Sequence, residues 1–192
     1  MSYASKDIRN IALLGHGGNG KTSLAESILF LTGATDRLGS SAAGNSVSDY
    51  DPEEIRRQIS ISATTMYTEY QKTKINIIDT PGYFDFAGEV VEALRVADTG
   101  IIVVSAKDGL NVGAEKAWKS LTDASLPKAV YISKIDEEHA DYFSALSQLR
   151  EKFGPSLSPM AAPIVEGGKA VGIVDIVSRK AYKYNGGKRS EC

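Results

Sequence analysis

The apolar positions Ile8, Ile11, Ala12, Leu13 and Leu14 run into the polar octet GHGGNGKT, after which Leu24, Ile28 and Leu31 recur at helical spacing as far as Gly33. This pattern predicts a strand, a glycine loop and a helix that Gly33 closes. From Gly33 to Gln58 the chain is rich in Gly, Ser, Asn, Asp and Arg and has no sustained apolar period. A stretch of that length is uncommon as an idle loop, so we read it as a mobile functional segment. Ile59, Ile61, Ala63, Thr65 and Tyr67 then alternate with Ser60, Ser62, Thr64 and Met66, the period of a half-buried strand. A turn near Gln71 to Thr73 and a second, more buried strand, KINIID, follow.

Next come a helical pattern near Phe86 to Ala97, the strand IIVVSA, a helix near Ala114 to Ala124, the strand KAVYIS, and a helix carrying Phe143, Leu146, Leu149 and Phe153. Strands and helices in alternation predict an α/β fold, a mostly parallel sheet with helices on both faces. Beyond Gly154 Pro and Ser increase, and APIV and AVGIVDIV predict short strands of an appendage. No internal repeat or low-complexity tract interrupts the chain.

Composition narrows the class. The 192 residues, 42% hydrophobic and 24% charged, suit one well-buried core. A formal charge of −2 argues against binding nucleic acid through the overall field, and no direct sequence-specific nucleic-acid contact is expected. The single cysteine, Cys192, excludes an internal disulfide and a cysteine-based metal site, with a reducing compartment as the default. No run approaches the roughly 20 apolar residues that span a bilayer, and MSYASKDIRN lacks the apolar stretch of a secretory signal. A cytoplasmic monomer without membrane contact is the expectation.

Three motifs carry chemistry. Gly15 to Thr22 fit G-x-x-x-x-G-K-S/T between a predicted strand and a predicted helix, the context a phosphate-binding loop requires. The candidate loop residues are Gly15, His16, Gly17, Gly18, Asn19, Gly20, Lys21, Thr22 and Ser23, with His16 in a structural role. Such a loop wraps phosphates with backbone N–H groups and a helix N-terminus, Lys21 adds positive charge, and Thr22 supplies a hydroxyl for Mg²⁺. A glycine turn that merely starts a helix would need neither Lys nor Thr at these offsets.

Asp79, Thr80, Pro81 and Gly82 end the KINIID strand, placing Asp79 at the carboxyl end of the sheet, where open α/β folds bind ligands. Its expected role is to hold Mg²⁺ through water. Without the upstream loop, DTPG would be an ordinary turn. Ser133, Lys134, Ile135 and Asp136 follow the strand KAVYI, where a GTPase would carry Asn-Lys-x-Asp. Asp136 can accept from guanine N1–H and the exocyclic N2, donors that adenine does not offer there, and Lys134 would lay its stem over the base. In isolation, a charged loop after a strand reads equally well.

Together these segments resemble the elongation factor G family, and among its members the elongation-factor-G-like paralogues, over GHGGNGKTSLAESILFLTG, SDYDPEEIRRQISIS, INIIDTPGYFDFAGEV and VVSAKDG. The resemblance implies a GTPase using GTP/GDP and Mg²⁺ as a nucleotide-driven switch on the ribosome. It implies a P-loop GTPase core over residues 1–154, a first switch over about 33–60 and a second over about 79–90. Residues 155–192 would begin an inserted subdomain of a larger multidomain factor. Ser60 stands where the family has Thr, keeping the hydroxyl that would coordinate Mg²⁺, and Gly18 stands where translation GTPases commonly carry Asp.

Tyr83 stands where DTPGH places a water-positioning His. A phenol ionises far above the range of an imidazole and is a poor substitute for it, so slow hydrolysis is expected. The residues leave two placements open for Tyr83: over the γ-phosphate, as a catalytic partner of Lys21, or packed beside Phe84 and Phe86 away from the nucleotide. Ser133 lacks the amide of Asn, a loss worth about two- to tenfold in affinity. The family's fifth guanine loop, a Ser-Ala motif, has no counterpart after Tyr184. Ser105 and Ala106 precede the SKID strand and so occur in the wrong order. Two rival readings remain: a GTP-binding module that does not hydrolyse, and an adenine-specific P-loop ATPase, against which Asp136 stands. The tail NGGKRSEC reads as an arbitrary end, and Trp118 and His139 as packing and surface residues.

Overall fold

The structure, a computed structural model, describes residues 3–185 and 188–192. Residues 1 and 2, in the start compared with a secretory signal, and 186 and 187, in the tail NGGKRSEC, lie outside the described residues. Two compact units make up the chain, one running to Val104 and taking in Asn111–Tyr131, the other comprising Ser105–Leu110 with Ile132–Cys192. This division does not coincide with the expected break after Gly154.

The first unit is built on β1 (Ile8–Leu14), α1 (Lys21–Leu31), α2 (Pro52–Arg57), β2 (Thr64–Tyr70), β3 (Thr73–Asp79), α3 (Ala87–Val96), β4 (Thr99–Ser105) and α4 (Val112–Asp123), with β5 (Lys128–Ser133) completing its sheet. Strand order is β2-β3-β1-β4-β5. β1 pairs in parallel with β3 and β4, and β2 is antiparallel to β3. The connection from β1 to β3 steps one way across the sheet and that from β3 to β4 steps back past β1. Right-handed crossovers therefore put α1 on one face and α3 on the other.

The side-chain alternation of β1 agrees with this. Leu13 packs with Ala25 and Leu29 of α1 and with Met66 and Ile77, joined by Ile11, Ile75 and Ile101. Leu14 faces the opposite side, where it and Leu121 of α4 close over Gly100, whose missing side chain leaves them room. Leu13, Leu14, Leu29 and Leu121 are at most 2% exposed, and each such side chain contributes about 1.5–3 kcal/mol through burial. β1 thus reads as a continuous apolar run because both of its faces are covered.

Two expectations change. The segment after Gly33 contains a 3-10 turn at Ser41–Ala43 and the helix α2, which opens with Asp51 as N-cap, Pro52 at N1 and a reciprocal capping box with Glu54. The strand expected from Ile59 begins only at Thr64. Carboxylates and a carbonyl take the intervening amides: Ile59 N donates to Glu54 O, Ile61 N and Ser62 N to Glu54 Oε1, and Ala63 N to Glu89 Oε2. A backbone whose donors are bonded this way is not available to a sheet ladder.

The second unit holds α5 (Tyr142–Phe153), N-capped by Asp141, and an antiparallel sheet of β6 (Ala161–Glu166), β7 (Lys169–Asp175), β8 (Lys180–Asn185) and β9 (Lys188–Glu191) in that order. Gly167 and Gly168, both at positive φ (58° and 77°), form the two-residue turn of the β6–β7 hairpin. The Tyr142 hydroxyl donates to Ala161 O at 2.7 Å, tying the helix to the first strand.

Candidate functional site

The loop between β1 and α1 bends where the fold leaves no alternative. Gly15 has φ 136°, and a Cβ there would run into the Val103 carbonyl of β4. Asn19, 2% exposed, donates to that same Val103 O at 2.9 Å. Lys21 begins α1 and turns its Nζ back under the loop, donating to Gly15 O and His16 O, both at 3.1 Å. Burial pushes its ammonium down to about 8, an effect that the negative charges of Asp79 and Asp49 oppose. His16 contributes packing: its backbone lies against Gly113 of α4, and its ring is 5.9 Å from that of Phe84.

Register brings Asp79 to the level of the loop, since Leu13 pairs with Asp79 across the parallel ladder. Thr80 Oγ1 donates to Leu13 O at 2.6 Å and fixes the strand end. Thr22 Oγ1 donates to Asp79 Oδ2 at 2.6 Å and lies 3.3 Å from Ser60 Oγ. Ser60 Oγ in turn donates to Asp49 Oδ1 at 2.8 Å. Asp79 is 1% exposed, and its Oδ1, like Ser48 Oγ, is buried without a well-formed hydrogen bond among the described residues. Burial raises the Asp79 carboxyl to about 6, moderated by the Thr22 hydrogen bond, by Lys21 and by the nearby Ser48 hydroxyl. Two hydroxyls and an under-coordinated carboxylate oxygen form the hard-oxygen donor set that Mg²⁺ selects. These residues fit that ion.

The turn after Asp79 lies directly on the phosphate loop. Gly17 N donates to Gly82 O at 3.1 Å. A Cβ on Gly82 would collide with Lys21 Nζ and the Gly17 backbone, and one on Gly17 would come within 2.9 Å of the Tyr83 ring. The Tyr83 ring thus lies beside Gly17 of the glycine loop. Phe84 has Lys116 Nζ 3.5 Å from its ring centroid. Pro81, Gly82, Tyr83 and Phe84 line one side of a pocket of about 310 Å³, with α4 on the other.

Ser133, Lys134 and Asp136 belong to the second unit. Ser133 ends β5, and its carbonyl accepts from Ala106 N at 2.9 Å. Lys134 sits at φ 57°, a left-handed conformation that side-chain-bearing residues hold at a cost and that recurs at functional sites. Its Nζ is 3.3 Å from Glu137, and Asp136 is exposed. Ser105 Oγ accepts from Lys107 N and Asp108 N, both at 3.2 Å, a use different from base recognition.

Sequence reasoning missed Asp49, Ser48, Glu26, Glu54 and Glu89. Glu26, 1% exposed, receives Gly39 N at 3.1 Å and Val47 N at 2.5 Å on its two carboxylate oxygens. Only Glu54 had a local signal, the D-x-x-E spacing after a proline-led helix start. The others act across more than ten residues, where no spacing rule reaches.

A glycine loop on a buried lysine, a strand-end aspartate beside two hydroxyls and a mostly parallel sheet in the order 2-3-1-4-5 together define a P-loop nucleotide-binding domain of the GTPase type. The chain belongs to the elongation factor Tu GTP binding domain family, whose model matches residues 6–188. It is 35% identical over 183 residues to an elongation factor G-like protein of Mycobacterium tuberculosis, covering 95% of this chain and 25% of that protein. Against elongation factor G 2 of Borreliella burgdorferi it is 35% identical over 178 residues, covering 93% and 27%. A crystal structure of a Thermus thermophilus protein superposes with a TM-score of 0.91 at 38% identity, covering 96% of this chain and 28% of that one. The chain thus spans about a quarter of the length of the curated relatives it matches. Among the described residues no helix is long and apolar enough to cross a membrane.

Proposed function

We propose that this chain binds GTP and GDP with Mg²⁺ and works as the nucleotide-driven switch of an elongation-factor-G-like translation factor. It would act on the ribosome in the cytoplasm, as the P-loop GTPase part of a larger multidomain protein whose inserted subdomain begins after Gly154. The observation that carries the reading is the buried pair Lys21 and Asp79 beneath a glycine loop. Among the described residues Lys21 has only backbone carbonyls as hydrogen-bond partners, and Asp79 Oδ1 has none. A buried charge left so poorly bonded is costly unless a ligand completes it.

Each residue has a role in this reading. The N-terminus of α1 and those loop amides from Gly15 to Gly20 other than Gly17 N and Asn19 N, which donate to Gly82 O and His16 O, donate to phosphate oxygens, and Lys21 balances their charge. Thr22, Ser60 and Asp79 would hold Mg²⁺, which would supply positive charge against the phosphates. Asp136 accepts from the guanine edge, Lys134 covers the base with its stem, and Ser133 takes the place of a bridging amide. Tyr83, lying on Gly17, covers the phosphate loop without supplying a titrating group, and hydrolysis is slow.

Calorimetry of the 192-residue chain with GDP, GTP and ATP in Mg²⁺ tests the binding step. Tight guanine binding with ATP at least roughly 100-fold weaker, on the order expected when one buried hydrogen-bond pair discriminates, supports the reading. Preferential binding of ATP would assign the adenine-specific class, and equal binding would remove Asp136 from purine discrimination. Single-turnover GTP cleavage, with and without ribosomes, tests the chemistry. Tyr83→His should accelerate cleavage by roughly 10²-fold, the low end of what a positioned acid–base group contributes. Turnover of the native chain already at the rate of its His-bearing counterpart would sink the slow-hydrolysis assignment. No cleavage by either would leave a binding module.

A further inference from the structure

α2 is only six residues long, too short to hold itself as a helix. Its outer face carries Glu53, which pairs with Arg56 at 2.7 Å and also with Arg57. Its inner face carries Glu54, 2% exposed. Both carboxylate oxygens of Glu54 are used by backbone amides, Oε2 accepting from Asp51 N at 3.3 Å and Oε1 from Ile61 N at 2.9 Å and Ser62 N at 3.1 Å. Its main-chain carbonyl accepts from Gln58 N, the C-cap of α2, and from Ile59 N at 3.2 Å. Residues 58–62 are thereby wrapped around one side chain, with Gln58 driven to φ 57° to make the turn. The residue in the middle of the wrap is Ser60, whose hydroxyl reaches Asp49 and Thr22.

A capping box alone needs only the Asp51 amide. Two further amides from beyond the helix, converging on the other oxygen of the same carboxylate, do nothing for the helix. What they fix is the path of the chain immediately after Ser60. We propose that Glu54 is a positioning residue for the cation site: by holding the amides of Ile61 and Ser62 it sets the Ser60 hydroxyl beside Thr22, which in turn is bonded to Asp79. This rests on the reading of Ser60 as a Mg²⁺ ligand. Glu89, which takes Ala63 N at 2.6 Å, and Glu26, which takes Gly39 N and Val47 N, hold the same segment farther out and leave Ser60 to Glu54.

Glu54→Gln keeps the volume but must turn an NH₂ group toward a backbone N–H on one side or the other. The measurement is GTP affinity of the full 192-residue chain with Mg²⁺ and with EDTA, and the readout is the ratio of the two. Glu54→Gln should lower that ratio by about tenfold, the scale of one charge-assisted hydrogen bond. Affinity in EDTA should stay within about twofold of the native value, since the loop and Lys21 are untouched. Ser60→Ala should give the same loss, and the double variant no more than either single one. Equal losses with and without Mg²⁺, or losses that add in the double variant, would show Glu54 to be structural only. If Ser60→Ala leaves the ratio unchanged, the reading of Ser60 as a ligand falls and the proposal with it. A native ratio in Glu54→Gln beside a lowered one in Ser60→Ala overturns the proposal alone. Glu54→Asp, which keeps the charge one methylene short, substitutes if the Gln variant does not fold; its ratio should fall part of the way, and a native ratio there is equally decisive against the idea.

Discussion

The glycine-loop site and the loop after β5, which we propose reads the base, are built on opposite plans. Lys21, Asp79, Asp49 and Asn19 are at most 5% exposed; Asp79 and Asp49 are joined through Thr22 and Ser60, Lys21 donates to loop carbonyls and Asn19 to Val103 O. The loop after β5 places Asp136 in solvent and Lys134 in a left-handed turn, with a surface ion pair to Glu137. A buried network holds its geometry before a ligand arrives, whereas an exposed carboxylate must be organised by the ligand itself. Affinity should therefore reside mainly at the phosphate end, and discrimination between purines in a few exposed groups.

The comparison breaks first at Lys21. Lys21→Ala removes the buried cation under the loop and should weaken GDP by about 10³-fold, as loss of two or three charge-assisted bonds implies. Titration calorimetry reads this directly, and a loss under about tenfold would mean that the buried network is not where affinity lies. Asp136→Asn should weaken GDP by about 10²-fold and leave ATP unchanged, narrowing the GDP-to-ATP ratio. Competition against a labelled guanine nucleotide measures both, and an unchanged ratio would remove Asp136 from base recognition. Ser133→Asn restores an amide and should tighten GDP by about two- to tenfold, read by the same competition. Smallest is Gln58→Gly, which relieves a left-handed side-chain-bearing residue. Relief of about 1–2 kcal/mol of strain is offset by loss of the Gln58 Nε2 bond to Ala42 O at 3.2 Å and by the freedom of glycine, so the thermal midpoint should move by at most a few degrees with guanine affinity unchanged.

The glycine-loop site itself was disclosed unevenly by the sequence. The phosphate loop, DTPG and the α/β alternation were legible because their signals are local: glycines at fixed offsets, an apolar run before each loop, helical spacing after it. The strand expected from Ile59 to Tyr67 had the right alternation, yet Ile59 to Ala63 are drawn off by Glu54 and Glu89. Alternation reports which residues could line a sheet; it cannot report a carboxylate from another element that captures their amides. Asp49, Glu26 and Glu89 escaped for the same reason. α2 carries hardly any apolar period, so only its capping residues could have revealed it, and β8 and β9 are too polar to announce themselves as strands.

The register of β1 limits how this domain can change over time. Its Leu13 and Leu14 pack on opposite faces, and Leu13 aligns with Asp79 while Leu14 aligns with Ile102. Inserting one residue into β1 would exchange the two leucines between faces and shift Gly15 by about 3.3 Å relative to Asp79. Deleting one would do the same in reverse. The seven-residue spacing of β1 is thus held by geometry rather than by any single side chain.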